Sequence, residues 1–324
     1  MTGKLAVVFG GSGFIGRNVV RELARRGWRV RAAVRRPHHA QFLRPMGAVG
    51  QVQLFQANVR HRPSVARAIE GADAVINLVG ILHQEGAQSF TRVQAQGSAA
   101  IAEAAAKAGV KTFIHVSAIG ADEASDSDYA RTKGEAERAV REAIPGAIII
   151  RPSVVFGPED QFFNKFATLM SMAPAFAPLP LLFGGGAAKF QPVYVDDVAD
   201  AICAAMEKPD AEGAVYELGG PRVYTFRQLL EFTLAQTGHR RMLVAVPFSL
   251  APVIGFFGEC VGAVPFFAPP VTRDQIKMLK RDNVVSDGAK GIADLGISPR
   301  TVESLAPAYL ARFRKYGQFA ERLA

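Results

Sequence analysis

Lys4-Leu-Ala-Val-Val-Phe9 is an apolar, β-branched run that leads without a break into Gly10-Gly11-Ser12-Gly13-Phe14-Ile15-Gly16. Apolar residues then recur at helical spacing, at Val19, Val20, Leu23 and Ala24. The pattern reads as strand, tight turn, helix. Each of the three evenly spaced glycines has its own reason to be there. Gly10 lets the chain leave the strand sharply. Gly13 carries no side chain, so backbone N–H groups can approach a bound pyrophosphate. Gly16 lets the helix pack closely on the strand. The helix start then offers unpaired N–H groups and a partial positive charge to phosphates. Ser12, Phe14 and Ile15 lie in the same loop and are candidate cofactor contacts with the three glycines. Strand before and helix after make a weak glycine pattern a strong one for dinucleotide binding.

The following residues continue the same theme. Trp28 to Val34 alternates like a second strand and ends at Arg35-Arg36. In a dinucleotide fold this strand end lies beside the adenosine ribose. An acidic residue there would favour NAD, and an arginine can pair with a 2′-phosphate. Between Gly27 and Gly50 there is no Asp or Glu. The expected cofactor is therefore NADP(H) rather than NAD(H), bound through Arg35 and Arg36; the plain alternative is a solvated arginine pair.

Val52 to Phe55 is a short third strand leading to Asn58-Val59, where an adenine could sit, and Ser64 to Ile69 a short helix. Ala74-Val-Ile-Asn-Leu-Val-Gly80 is a fourth strand, apolar enough to be buried on both faces. Leu78 and Gly80 fall at its carboxyl edge, where such sheets bind ligands. An Ala-rich helix follows from about Ser89 to Ala108. Thr112 to Val116 is a fifth strand, Asp128 to Ala143 a helix, and Ala147 to Ile150 a sixth strand. Strands alternating with helices predict an α/β fold, a doubly wound parallel sheet of the Rossmann type. The domain reading is a nucleotide-binding domain over 1–157, with 191–218 returning to it. A smaller, partly interleaved C-terminal region takes 158–190 and 219–324.

Ser117 ends the fifth strand, and Tyr129-Ala-Arg-Thr-Lys133 opens the next helix. Tyr129 and Lys133, four apart, project from one helix face. The ammonium of Lys133 can lower the Tyr129 phenol and hydrogen-bond a nicotinamide ribose. Tyr129 can then serve as general acid or base toward a carbonyl or alcohol whose oxygen Ser117 holds. Tyr-x-x-x-Lys alone is common; with a serine at the preceding strand end and the glycine loop at the first, it becomes specific.

A net charge of +9 on 324 residues suits an anionic partner. No basic block with interleaved aromatics points to nucleic acid. The six histidines show no ligand spacing, so no metal is expected. Cys203 and Cys260 form neither a metal pattern nor a disulfide framework, as in a reducing compartment. The N-terminal apolar run is too short for a signal peptide. Val244 to Val271 is apolar, but Glu259 and five prolines argue against a spanning helix. It reads either as core or as a patch for a lipid or partner. Asp160 to Lys189, rich in Pro and Gly, is expected to cap the nicotinamide. Asp196-Asp197 reads as a helix cap. Tyr309 to Arg322 is basic and amphipathic.

Together these residues resemble the short-chain dehydrogenase/reductase superfamily, in its extended and atypical members. Gly10-x-x-Gly13-x-x-Gly16, Arg151-Pro-Ser-Val-Val-Phe-Gly-Pro158 and Gln191-Pro-Val-Tyr-Val-Asp-Asp-Val-Ala199 carry the likeness. The resemblance implies that Pro152 and Ser153 flank the nicotinamide. A narrower match runs through Phe113-Ile-His-Val-Ser117, Phe162-Phe-Asn-Lys-Phe166 and Val271-Thr-Arg-Asp-Gln275. These resemble the NADPH-binding accessory subunit family of respiratory complex I. That likeness implies bound NADPH, complex I subunits as partners, and contact with the membrane from its cytoplasmic or matrix side. It also implies a role in assembly or stability rather than turnover. The other expectation, from Ser117, Tyr129 and Lys133, is an NADPH-dependent oxidoreductase or a sugar-nucleotide epimerase/dehydratase-type enzyme. One departure bears on it: Gln94 stands where many relatives place the Asn that holds a relay water.

Overall fold

The structure, a computed structural model, describes residues 3–172, 181–250, 252–256, 272–315, 317 and 319. The chain divides into two compact units. The first comprises Met1–Pro152, Val195–Leu218 and Val285–Ser298; the second comprises Ser153–Tyr194, Gly219–Val284 and Pro299–Ala324. The sequence reading leaves 285–298 in the smaller region. It counts with the first unit because Glu217 N–H donates to the Lys290 carbonyl and Ser286 N–H to the Glu217 carboxylate, both at 2.8 Å.

In the first unit the elements are β1 (Leu5–Phe9), α1 (Phe14–Arg25), β2 (Arg29–Val34), β3 (Val52–Gln56), α2 (Arg62–Ile69), β4 (Ala74–Asn77), α3 (Gln96–Lys107), β5 (Thr112–Val116), α4 (Asp128–Ala143), β6 (Ile148–Pro152), α5 (Val195–Glu207) and β7 (Val215–Leu218). The strands form one parallel sheet in the order β7-β6-β5-β4-β1-β2-β3. The chain reverses direction across the sheet between β1 and β4, which opens a crevice at their carboxyl ends. α1 packs against α5; α2, α3 and α4 pack side by side. Val7, Phe9, Val75 and Phe113 from the strands meet Val65, Ile101 and Val140 from the helices in a fully apolar core. Side chains on successive strand positions are buried on both faces, the signature of a sheet covered by helices.

Two local features differ from the sequence reading. The fourth strand stops at Asn77, leaving Leu78 to Gly80 as a loop at the sheet edge. The helix expected over 89–108 opens with a π-helical turn, Thr91–Ala95, before becoming α-helical. Such a turn inserts one extra residue and often marks a functional site.

The second unit is built on aromatic packing. Phe162 meets Phe163, Phe166, Phe190 and Phe226, with ring centroids 5.2–6.2 Å apart. The helices Phe163–Met172, Phe226–Thr237 and Val302–Leu310 enclose this cluster. Asp160 is buried and accepts from the N–H groups of Gly157, Phe162 and Asn164 and from the Tyr309 hydroxyl at 2.7 Å. Tyr309 thus faces inward, near the end of its helix at Leu310. Of the apolar stretch 244–271, Val244–Val246 is a strand paired with Leu181–Phe183. Residues 257–271, with Cys260, lie outside the described residues. So do 173–180 of the expected cap and 320–324 of the C-terminal segment. No helix among the described residues is long and apolar enough to cross a membrane.

Candidate dinucleotide site

The crevice is made by the loops after β1 and β4. Gly10 has φ +80°, and a Cβ there would meet the backbone of Leu78 at 3.2 Å, so the two loops touch only because Gly10 has no side chain. Gly13 N–H donates to the Gly10 carbonyl at 2.9 Å, which closes the turn. Gly16 is more restricted: an added Cβ would lie 2.1 Å from the Gly10 carbonyl oxygen. Gly13 also occupies the N-cap of α1, with no side chain to take up the first-turn N–H groups. Those donors, with the helix dipole behind them, form an anion cradle in which Ser12, Phe14 and Ile15 lie.

Arg35 and Arg36 are exposed at the end of β2. Arg35 donates to the side-chain oxygen of Gln88. Asn58 and Val59 follow β3, and the Asn58 side chain is tied into its own turn, accepting from Arg60 N–H at 3.1 Å. Leu78 is half-buried and Gly80 exposed.

Ser117, Tyr129 and Lys133 come from the end of β5 and the first turns of α4. Ser127 starts that helix, its hydroxyl accepting from Ala130 N–H at 3.3 Å. Ser117 is buried, and its hydroxyl has no hydrogen-bond partner among the described residues. The Lys133 ammonium donates to the Val116 carbonyl at 3.1 Å, directly beside Ser117. Burial lowers that ammonium to about 8, against the opposing pull of the Glu137 carboxylate. Tyr129 stands edge-on to Phe90 at 5.8 Å. The sequence reading expects Lys133 to lower the Tyr129 phenol. The structure has the opposite sign: burial pushes it up to about 12, because a phenolate in apolar surroundings loses its hydration.

Gln94, on the π-helical turn, is buried, and neither its amide oxygen nor its nitrogen has a partner among the described residues. A Cβ on Gly80 would sit 3.5 Å from the Lys133 Nζ and 4.0 Å from the Gln94 Oε1, so these groups converge on one point of the sheet edge. Buried polar atoms without partners are rare and expensive. Their concentration here, with the glycine cradle at the other end, fits a polar ligand lying along the edge. Bound there, a nicotinamide cofactor supplies hydride chemistry.

Beneath the edge lies a polar network that sequence reasoning missed. The buried Asn77 amide donates to the Ser98 hydroxyl at 2.9 Å and lies 3.1 Å from His115 Nδ1, while its oxygen accepts from Val79 N–H. Burial, with Lys133 and Arg141 nearby, holds His115 at about 3, so it is neutral near pH 7. Polar residues inside the apolar strands Ala-Val-Ile-Asn77 and Thr-Phe-Ile-His-Val116 were the available signal. The segment that holds the expected site residues Pro152 and Ser153 is tied to structural partners. The Arg151 guanidinium grips the buried Glu137 carboxylate at 2.7 and 2.8 Å and reaches Glu217 at 3.4 Å. Ser153 belongs to the second unit, where its hydroxyl bonds Asn283 at 2.7 Å; Pro152 ends β6.

A glycine cradle on a seven-stranded parallel sheet, with Ser, Tyr and Lys at its edge, defines a dinucleotide-binding α/β protein. Residues 6–219 match the model of the NAD dependent epimerase/dehydratase family, and the chain belongs to that family. It is 35% identical to the mitochondrial NADH dehydrogenase [ubiquinone] 1 alpha subcomplex subunit 9 of Mus musculus, covering 98% of this chain and 82% of that one. It is 32% identical to the mitochondrial NADH-ubiquinone oxidoreductase 40 kDa subunit of Neurospora crassa, covering 96% and 80%. Among solved structures, gox2253 shares the fold with a TM-score of 0.71 at 23% identity, covering 97% of this chain and 99% of that one.

Proposed function

We propose that this protein binds NADPH in its first unit and serves as an accessory or assembly subunit of respiratory complex I. The observation that carries this reading is similarity along nearly the whole chain to subunits named for that complex. The cofactor part is supported by the glycine cradle and by two arginines, with no carboxylate, where the ribose would lie. The pyrophosphate rests on the first turn of α1, and Arg35 and Arg36 receive the 2′-phosphate. Lys133 holds the nicotinamide ribose, with Ser117 and Gln94 facing the remaining polar edge. Partner contact is with complex I subunits, on the cytoplasmic or matrix side of the membrane. The apolar 244–271 stretch and the basic charge support membrane-surface contact.

The alternative is an active NADPH-dependent oxidoreductase or epimerase-type enzyme, favoured by the complete Ser117, Tyr129, Lys133 set. A Tyr129→Phe strain separates the two. Unchanged complex I content and phenotype fit the accessory role; loss of phenotype with the complex intact fits catalysis. The accessory role itself is tested by purifying detergent-solubilised complex I and asking whether this chain travels with it.

A further inference from the structure

Between the turn that follows β3 and the start of α3 lies a cavity of about 500 Å³, lined by Val59, Arg60, Arg62, Arg92, Gln96 and Ala100. Ala100 is buried and Val59 half-buried, and they make an apolar floor; the three arginines and Gln96 are exposed and make the rim. The floor is tight. A Cβ on Gly97 would come within 2.9 Å of the Val59 side chain, so α3 lies directly on the turn.

The turn that presents two of the arginines is rigidly built. Ser64 Oγ accepts from Asn58 N–H at 3.0 Å and donates to the His61 carbonyl at 2.8 Å, and the Asn58 side chain accepts from Arg60 N–H. Arg60 is further fixed by donating to the Ala87 carbonyl at 3.0 Å. Arg62 pairs with Glu103. The Arg92 guanidinium has no hydrogen-bond or ion-pair partner among the described residues.

Three arginines thus line one cavity whose lining contains no carboxylate. Glu103 already pairs with Arg62, so the charges of Arg60 and Arg92 are the ones left to attract an anion. Arginine forks match tetrahedral phosphate oxygens in particular. The apolar floor leaves room for the organic part of the ligand. We propose that this cavity, which shares Val59 with the expected adenine position, binds a phosphate ester without displacing the dinucleotide from the crevice. The same chemistry is offered by a soluble phosphate compound and by an anionic phospholipid headgroup.

The proposal does not rest on the cofactor reading, so titrations are run both without nucleotide and with excess NADPH. The probes are inorganic pyrophosphate, and phosphatidylcholine vesicles with and without phosphatidylglycerol. The variants are Arg92→Gln and Arg60→Gln/Arg92→Gln. A control, Arg29→Gln/Lys111→Gln, removes the same charge from exposed positions elsewhere. The expected result is binding of at least one probe that survives NADPH and weakens about tenfold in the double variant, but not in the control. Response to pyrophosphate identifies a soluble phosphate ligand; response to phosphatidylglycerol vesicles alone identifies a headgroup. The proposal is overturned if neither probe binds, if the control weakens binding equally, or if NADPH displaces the probe.

Discussion

The guanidinium of Arg35, at the end of β2, donates to the side-chain oxygen of Gln88 in the loop after β4. The group proposed to take the 2′-phosphate of NADPH therefore already has a partner, in a loop closed by the backbone pair Glu85 and Gln88. Cofactor binding requires Arg35 to exchange one for the other. Gln88→Ala is expected to tighten NADPH binding by about two- to tenfold, through loss of the competing hydrogen bond. Arg35→Ala/Arg36→Ala is expected to weaken NADPH by about 10- to 100-fold while changing NADH little. Titration of both nucleotides checks this, and equal or tighter NADH binding by the unaltered protein contradicts the NADP preference.

Gly16→Ala tests the cradle. The methyl would collide with backbone at Gly10 and Gly11, where no side chain can move aside. Overpacking of this kind costs about 1–3 kcal/mol. Urea unfolding should register that loss, together with loss of nucleotide binding from the fraction that remains folded.

Lys133 gives the protein a distinct dependence on pH. Its ammonium is lowered from the ordinary 10.5 to about 8 on folding. Between those values the unfolded chain binds more protons than the folded one, so stability rises with pH across that window. Below about 8 the buried charge is a standing burden on the fold. Lys133→Met is expected to raise the midpoint of thermal unfolding at pH 7 and to flatten the rise between pH 8 and 10.5. It should also abolish nucleotide binding, since the ribose loses its ammonium. An unchanged pH profile would count against the burial of this lysine.

Arg151→Met separates architecture from cofactor binding. Removing the guanidinium leaves the buried Glu137 carboxylate without its principal counter-charge, which typically costs about 3–5 kcal/mol. Chemical denaturation should show a large loss of stability. NADPH affinity of the folded fraction should change less than about twofold, because Arg151 faces α4 and β7 rather than the ligand. A cofactor role for Arg151 would reverse that pattern.

The sheet was legible because its strands are short apolar runs set off by glycine and alternating with amphipathic helices. The glycine loop was legible because Gly10, with its positive φ, and Gly16, pressed against the Gly10 backbone, stand where a side chain does not fit. What stayed hidden depends on long-range pairing. Nothing in Arg151-Pro-Ser153 announces that the arginine is held by Glu137 and the serine by Asn283, 130 residues away. The π-helical turn at 91–95 escaped because its composition is that of an ordinary helix. It matters nonetheless, since it carries Gln94 to the sheet edge. The return of 285–298 to the first unit also escaped, because it is made by backbone groups of Ser286 and Lys290 meeting Glu217, the first of them 69 residues away in sequence, and leaves no periodic pattern. The sign of the Tyr129 shift was misjudged because burial, rather than the lysine one turn away, governs that phenol.

The central claim is tested most directly in the organism's own membranes. Complex I is solubilised in detergent and isolated from cells with and without the gene for this chain, and the amount and activity of the assembled complex are measured. The expected result is that the chain co-purifies with the complex and that its deletion lowers the content of assembled, active enzyme. A deletion strain with unchanged complex I content and activity, and no trace of the chain in the purified complex, would contradict the assignment.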